Sequence, residues 1–157
     1  MRFYCPGYAV WKFNPEKLIE RLGYAQVGLD RAAEDGLYEK GKTLLAVIGT
    51  SGSWLAPLML QAGHRVALVR KPGDKSHGFS VEAAESGPVT KRPTAVLLDD
   101  FITTGDTVRN AAEALWHYEI PLVAVVTHDP AAYHEPSIRI RAGSFDERIA
   151  VYSARAE

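Results

Sequence analysis

Ala95 to Val108 reads A-V-L-L-D-D-F-I-T-T-G-D-T-V. Ala95–Leu98 is continuously apolar, the pattern of a strand covered on both faces, and it runs into two adjacent acids, Asp99 and Asp100. Threonines and a glycine follow, and an amphipathic helix is predicted over Asp106–Tyr118, with Val108, Ala111, Ala112 and Leu115 inward. Acids leaving a strand point to opposite sides if the strand continues, but a turn brings both to its end. Ionised carboxylates only accept hydrogen bonds, so a vicinal diol is their natural partner. Glycine lets the backbone approach a ligand, and a helix start offers unpaired N–H groups and the positive end of a dipole. Thr103, Thr104 and Thr107 add hydroxyls, making a phosphate cradle without a lysine. Thr103 followed three residues later by Asp106 also fits a capping box, which is compatible with such a cradle.

Outward from this stretch, strands and helices alternate. A helix is expected from Asn14 or Pro15 to about Glu34, with Leu18, Ile19, Leu22 and Ala25 at helical spacing. Thr43–Ile48 reads as a buried strand, Gly49–Ser53 as a tight loop and Trp54–Gln61 as a helix, with Pro57 tolerable only in a first turn. Arg65–Val69 is a second strand, Arg70–Pro93 a long loop or loose hairpin, and Pro121–Thr127 a fourth strand after Ala95–Leu98. Short strands are possible at Ile138–Ile140 and Ile149–Tyr152. Such alternation predicts an α/β fold on a parallel sheet, with ligands beyond the carboxyl ends of its strands. Gly49–Ser53, Arg70–Lys71, Asp99–Thr107 and Thr127–Asp129 all follow strand ends and should converge on one rim.

The whole chain sets the bounds. Its 157 residues, 46% hydrophobic and 24% charged, suit one soluble domain with a sizeable core. A net charge of -1 gives no bulk electrostatic case for nucleic acid or an anionic membrane, so any anion site is local. Cys5 stands alone, which excludes an internal disulfide and a cysteine zinc cluster. No apolar run spans a bilayer and the first residues lack a signal-peptide core, so the cytoplasm is the expected compartment.

The stretch Ala95–Val108 closely resembles the ribose-phosphate signature of type I phosphoribosyltransferases, an apolar strand followed by D-D-x-x-x-T-G-x-T. The resemblance covers roughly residues 43–129. It implies a single-domain, parallel-sheet phosphoribosyltransferase fold, with a small variable hood built from the termini. It also implies transfer of 5-phosphoribosyl from phosphoribosyl diphosphate (PRPP) to a nucleobase, with Mg²⁺ and release of diphosphate. On that basis Asp99 and Asp100 would hold the ribose hydroxyls. Thr103, Thr104, Gly105, Asp106 and Thr107 would hold the 5-phosphate. Family members often place a small residue at the position of Asp106; an acid there is unfavourable beside phosphate unless it points away, so Asp106 is expected to contribute its N–H or to cap the helix. Thr50, Ser51 and Gly52 look like the family's diphosphate loop. Arg70 and Lys71 would neutralise the diphosphate, Lys71 matching the lysine these enzymes place after the second strand.

Pro72–Gly78 looks like the family's mobile catalytic loop. R-K-x-x-x-K-x-H-G is close to the loop of the orotate enzymes, with Lys71 and Lys75 one residue further apart, and R-K-P-G-x-K is similar to the adenine enzymes. Lys75 and His77 are candidates for leaving-group stabilisation, with Asp100 as a third catalytic candidate. No side-chain nucleophile is required, because the reaction passes through an oxocarbenium-like state that the protein orients and neutralises. No direct metal ligand is expected, Asp99 and Asp100 serving through water.

The acceptor base is not named by these motifs. The orotate enzymes' K-S-G-R-x-S-P-Y-F-like segment has no counterpart in residues 1–48, and Thr127-His128-Asp129-Pro130 does not match the hypoxanthine/guanine enzymes. Phe3, Tyr4, Tyr8, Trp11 and Phe13, or the tail after Thr127, are candidates for the hood; the aromatics serve core or dimer packing equally well. The expected assembly is a homodimer. The alternative is a PRPP-binding regulator of the same fold, against which the near-neutral charge and the Lys75–His77 loop count; a third reading is another kind of nucleotide-binding fold.

Overall fold

A computed structural model of the chain describes residues 14–73, 81–83, 93–100, 102–129, 135–142 and 145–154. Helix α1 (Pro15–Glu34) starts where the sequence predicts: the Asn14 side chain accepts from the N–H groups of Glu16 and Lys17, and Pro15 occupies the first turn. Strand β1 (Leu44–Ile48) runs into α2 (Gly49–Gln61), then β2 (Arg65–Val69), β3 (Val81–Ala83) and β4 (Ala95–Asp99). Helix α3 (Asp106–Trp116), β5 (Leu122–Thr127), β6 (Ser137–Ala142) and β7 (Phe145–Ser153) complete the order.

The seven strands form one sheet in the order β3-β2-β1-β4-β5-β7-β6. β2, β1, β4, β5 and β7 are parallel, whereas β3 and β6 add antiparallel edges. The sheet is mostly parallel, as the sequence predicts, with an antiparallel strand at each edge. β6 runs into β7 across only two residues, a connection that antiparallel pairing permits. The sheet also reaches beyond the stretch 43–129: β6 and β7, within residues 137–153, extend it.

Both faces are covered, which is why β1 and β4 are buried along their whole lengths. Alternate residues along each strand fall on opposite faces. Leu45, Val47, Val96, Leu98, Ala124 and Val126 pack with α1 and α2. Leu44, Ala46, Ala95, Leu97 and Val125 pack with α3 and with Ile138 and Ile140 of β6. Helix α1 lies close against β5, since a Cβ on Gly28 would stand 2.5 Å from Val126 Cγ1.

Two local expectations are overturned. Gly49–Ser53 is not a loop: Gly49 adopts φ +66°, turning the chain directly from β1 into a helix that begins five residues earlier than expected. Pro57 consequently lies inside α2, on an exposed face, where water can serve the carbonyl that loses its N–H partner. Ile19, expected with the inward stripe of α1, is 69% exposed, and the buried positions are Ala25, Gly28, Leu29 and Ala32.

Candidate functional site

The carboxyl ends of β1, β2, β4 and β5 lie side by side. Ile48 pairs with Val69, and Asp99 with Thr127. This rim gathers Gly49, Arg70, Lys71, Asp99, Asp100 and Thr103–Thr107.

Asp99 is the last residue of β4 and is buried. Its Oδ1 accepts the Asp100 N–H at 2.9 Å, whereas Oδ2 is buried with no hydrogen-bond partner among the described residues. Burial, reinforced by the neighbouring Asp100 charge, raises its pKa to about 7; the Asp100 N–H and the Lys71 charge oppose that rise. Asp100 is half-buried at the bend that follows. The β4–β5 ladder continues through this pair, because the N–H of His128 donates to Asp99 O at 3.0 Å and that of Asp129 to Asp100 O at 3.1 Å. Arg21 of α1 reaches in from the helix layer. Its guanidinium donates to His128 O at 3.1 Å and pairs with Asp129 at 2.9 Å. His128 is fully buried, and that burial depresses its pKa to about 4.

The turn into α3 departs from the expected capping box. Gly105 is the N-cap, at φ +81°, with no side-chain cap. Thr104, not Thr103, takes the local role: its hydroxyl donates to Asp106 Oδ2 at 2.6 Å and accepts the Asp106 N–H at 3.3 Å. Thr104 starts from the residue before the left-handed glycine, where the tight turn brings its hydroxyl back onto the first helical residue. The Asp106 carboxylate is held outside the turn by Thr104 and Arg109, which lower its pKa. The acid therefore occupies the Thr104 hydroxyl, one of the groups assigned to the cradle. Gly105 is required for more than close approach to a ligand, since a Cβ there would stand 2.7 Å from Ile138 Cδ1. Thr103 and Thr104 are exposed and Thr107 half-buried.

At the other end of the rim, a cleft of about 420 Å³ is lined by Val47, Gly49, Ser53, Arg70, Lys71 and Glu82, among others. The Lys71 side chain lies over Gly49, with Cε 2.7 Å from where a Cβ would be. Arg70 is drawn into an ion pair: two guanidinium nitrogens contact Glu82 Oε1, at 2.6 and 3.2 Å. Gly52 backs onto β1, where a Cβ would stand 2.6 Å from Val47 Cβ, so its smallness serves packing. Thr50 and Ser51 belong to the first turn of α2. Lys75, His77 and the aromatics Phe3, Tyr4, Tyr8, Trp11 and Phe13 lie outside the described residues.

Sequence reasoning missed Arg21 and Glu82, and placed Asp129 on the rim without its partner. Arg21 carried a signal: it sits three residues after Leu18 and four before Ala25, a charge inside an apolar stripe. Glu82 carried none, being one acid in a stretch without periodicity.

No protein-family model matches the chain, and no curated protein matches it. Solved structures do. Orotate phosphoribosyltransferase from Francisella tularensis superposes with a TM-score of 0.52 at 15% identity, over 91% of this chain and 60% of that one. The fold is the type I phosphoribosyltransferase fold. Orotate phosphoribosyltransferase from Aeropyrum pernix (TM-score 0.45, 22% identity, 76% of this chain and 57% of that one) is a further match. So is adenine phosphoribosyltransferase from Thermoanaerobacter pseudethanolicus (TM-score 0.44, 18% identity, 71% and 72%). The chain thus spans less than two thirds of the length of either orotate enzyme. Within the phosphoribosyltransferase fold, the Asp99–Thr107 segment stands at the carboxyl end of the central strand β4. No helix among the described residues is long and apolar enough to cross a membrane.

Proposed function

We propose that the protein transfers 5-phosphoribosyl from PRPP to a nucleobase and releases diphosphate. The observation that carries this reading is Asp99: a buried carboxylate with an unpartnered oxygen, at the strand end that leads into the left-handed helix start at Gly105. Burying such an oxygen without a partner is costly, and a donor from a ligand hydroxyl relieves that cost. The Gly105 turn, with the hydroxyls of Thr103 and Thr107, then receives the 5-phosphate. Lys71 faces the cleft at the opposite end, where the diphosphate leaves.

The chain's residues fit a magnesium ion carried in by the diphosphate. Two adjacent carboxylates stand on the rim, and no cluster of three ligating side chains occurs among the described residues. When bound, the ion supplies charge neutralisation of the leaving group. The protein's own part is to fix the sugar through Asp99 and Asp100, to hold both phosphate ends, and to bring Lys75 and His77 to the leaving diphosphate.

The test is incubation with Mg²⁺, PRPP and each of orotate, uracil, adenine, hypoxanthine, guanine and xanthine, following diphosphate. Release that depends on one base is expected. PRPP binding without release under any base identifies a regulator of the same fold, and no PRPP binding refutes the reading.

A further inference from the structure

We propose that Arg21 is a positioning residue that fixes the two acids of the rim through the backbone of the β5 exit. The inference rests on the reading of those acids as the ribose-binding pair, but its structural half stands independently.

The chain of contacts is continuous. Arg21 sits in the layer of α1, outside the rim. One nitrogen of its guanidinium donates to the His128 carbonyl at 3.1 Å and lies 2.9 Å from an Asp129 carboxylate oxygen. The two residues it holds donate the last rungs of the β4–β5 ladder, His128 N–H to Asp99 O and Asp129 N–H to Asp100 O. These rungs lie beyond the last strand pair, Asp99 with Thr127, where a sheet ordinarily frays. Asp99 and Asp100 therefore depend on the β5 exit for their backbone position, and the β5 exit is tied to Arg21. The pair is largely shielded, at 18% and 28% side-chain exposure, so it is screened less than a surface pair. Nothing in the ribose chemistry calls for a cation at this place.

The same helix supplies a control. Arg31, three turns further along α1, donates to the Ser153 carbonyl at 2.9 Å, tying α1 to β7 in the same chemical manner. That tie holds a strand which carries none of the site residues.

Two measurements test the proposal. In the first, amide hydrogen exchange is followed in wild type, Arg21→Met and Arg31→Met. Exchange at the His128 and Asp129 amides should quicken by about 10-fold or more in Arg21→Met and stay unchanged in Arg31→Met. In the second, steady-state kinetics should show the KM for PRPP raised about 10-fold in Arg21→Met, with kcat changed less, because holding of the sugar is what is lost. A cycle with Asp129→Asn should give a double variant no worse than Arg21→Met alone, since both act through one contact. If Arg21→Met fails to fold, Asp129→Asn decides by the His128 amide.

Unchanged exchange in Arg21→Met overturns the proposal, as does Arg31→Met reproducing either effect. Wild type that binds no PRPP would refute the functional reading instead, and the exchange measurement would still decide whether Arg21 holds the acids.

Discussion

At the β4–α3 end of the rim the acceptors and donors are short and fixed: a buried Asp99 carboxylate, the left-handed Gly105 turn, and threonine hydroxyls. At the β1–β2 end they are long side chains laid over a cleft, Lys71 across Gly49 and Arg70 locked to Glu82. The first plan recognises by geometry and desolvation. The second neutralises charge and is rearranged by any anion that competes for Arg70. On the proposed reading, a substrate phosphorylated at both ends needs both: one end is held still, while the other accepts and then releases a leaving group.

Asp99→Asn should break the fixed end most severely. Loss of the acceptor for ribose hydroxyls is expected to weaken PRPP binding by about 100-fold, measured by calorimetry. Stability should move the other way. The folded Asp99 titrates near 7 against an ordinary 3.8, so folding favours its protonated form, and the penalty for ionising it grows as pH rises between those values. The variant should therefore match wild type at pH 4 and exceed it at pH 8 by on the order of 2 kcal/mol in urea unfolding. For the same reason wild-type PRPP affinity should increase as pH rises through about 7; a flat profile from mildly acid to mildly alkaline buffer would sink the assignment.

Gly105→Ala is expected to cost about 1–3 kcal/mol of stability from the strained φ alone, with further loss from the clash with Ile138. A thermal melt and a phosphate titration would both register it. The other end should respond more gently. Lys71→Ala should leave the melting temperature unchanged and weaken inorganic diphosphate binding about 10-fold at low salt, less at high salt. If Lys71→Ala proves as damaging at high salt as at low, the contrast between the ends fails. Smallest is Glu82→Gln, which removes the carboxylate competing for Arg70 and should tighten diphosphate binding by about 3-fold. Weaker binding would make the Arg70–Glu82 pair a staple between β2 and β3 and nothing more.

The contrast also explains what the sequence disclosed. The fixed end is local: strand, acids, glycine and helix follow one another within Ala95–Val108, so the pattern could be read directly. Even there, the identity of the threonine that bonds Asp106 depended on where the turn tightened. The mobile-side-chain end is assembled from three separated segments, and the Glu82 that disarms Arg70 becomes visible only when β3 pairs with β2. Arg21 and Asp129 meet across 108 positions of chain by subtraction of their numbers, a relation no periodicity encodes. The direction of the edge strands β3 and β6 was not legible for a related reason. Their direction is set by the neighbour each returns to, not by their own residues.

The contact between Gly105 and Ile138 bears on where the molecule can be cut. A fragment ending at Asp129 would contain every residue of the Asp99–Thr107 segment and all four central strands through β5. It would lack β7, which covers the flank of β5, and β6, whose Ile138 roofs Gly105 at the start of α3. Such a fragment would expose the turn's apolar underside to water. A fragment that keeps this turn covered therefore runs through Ser153, and the C-terminal hairpin belongs to the Gly105 turn as much as to the sheet.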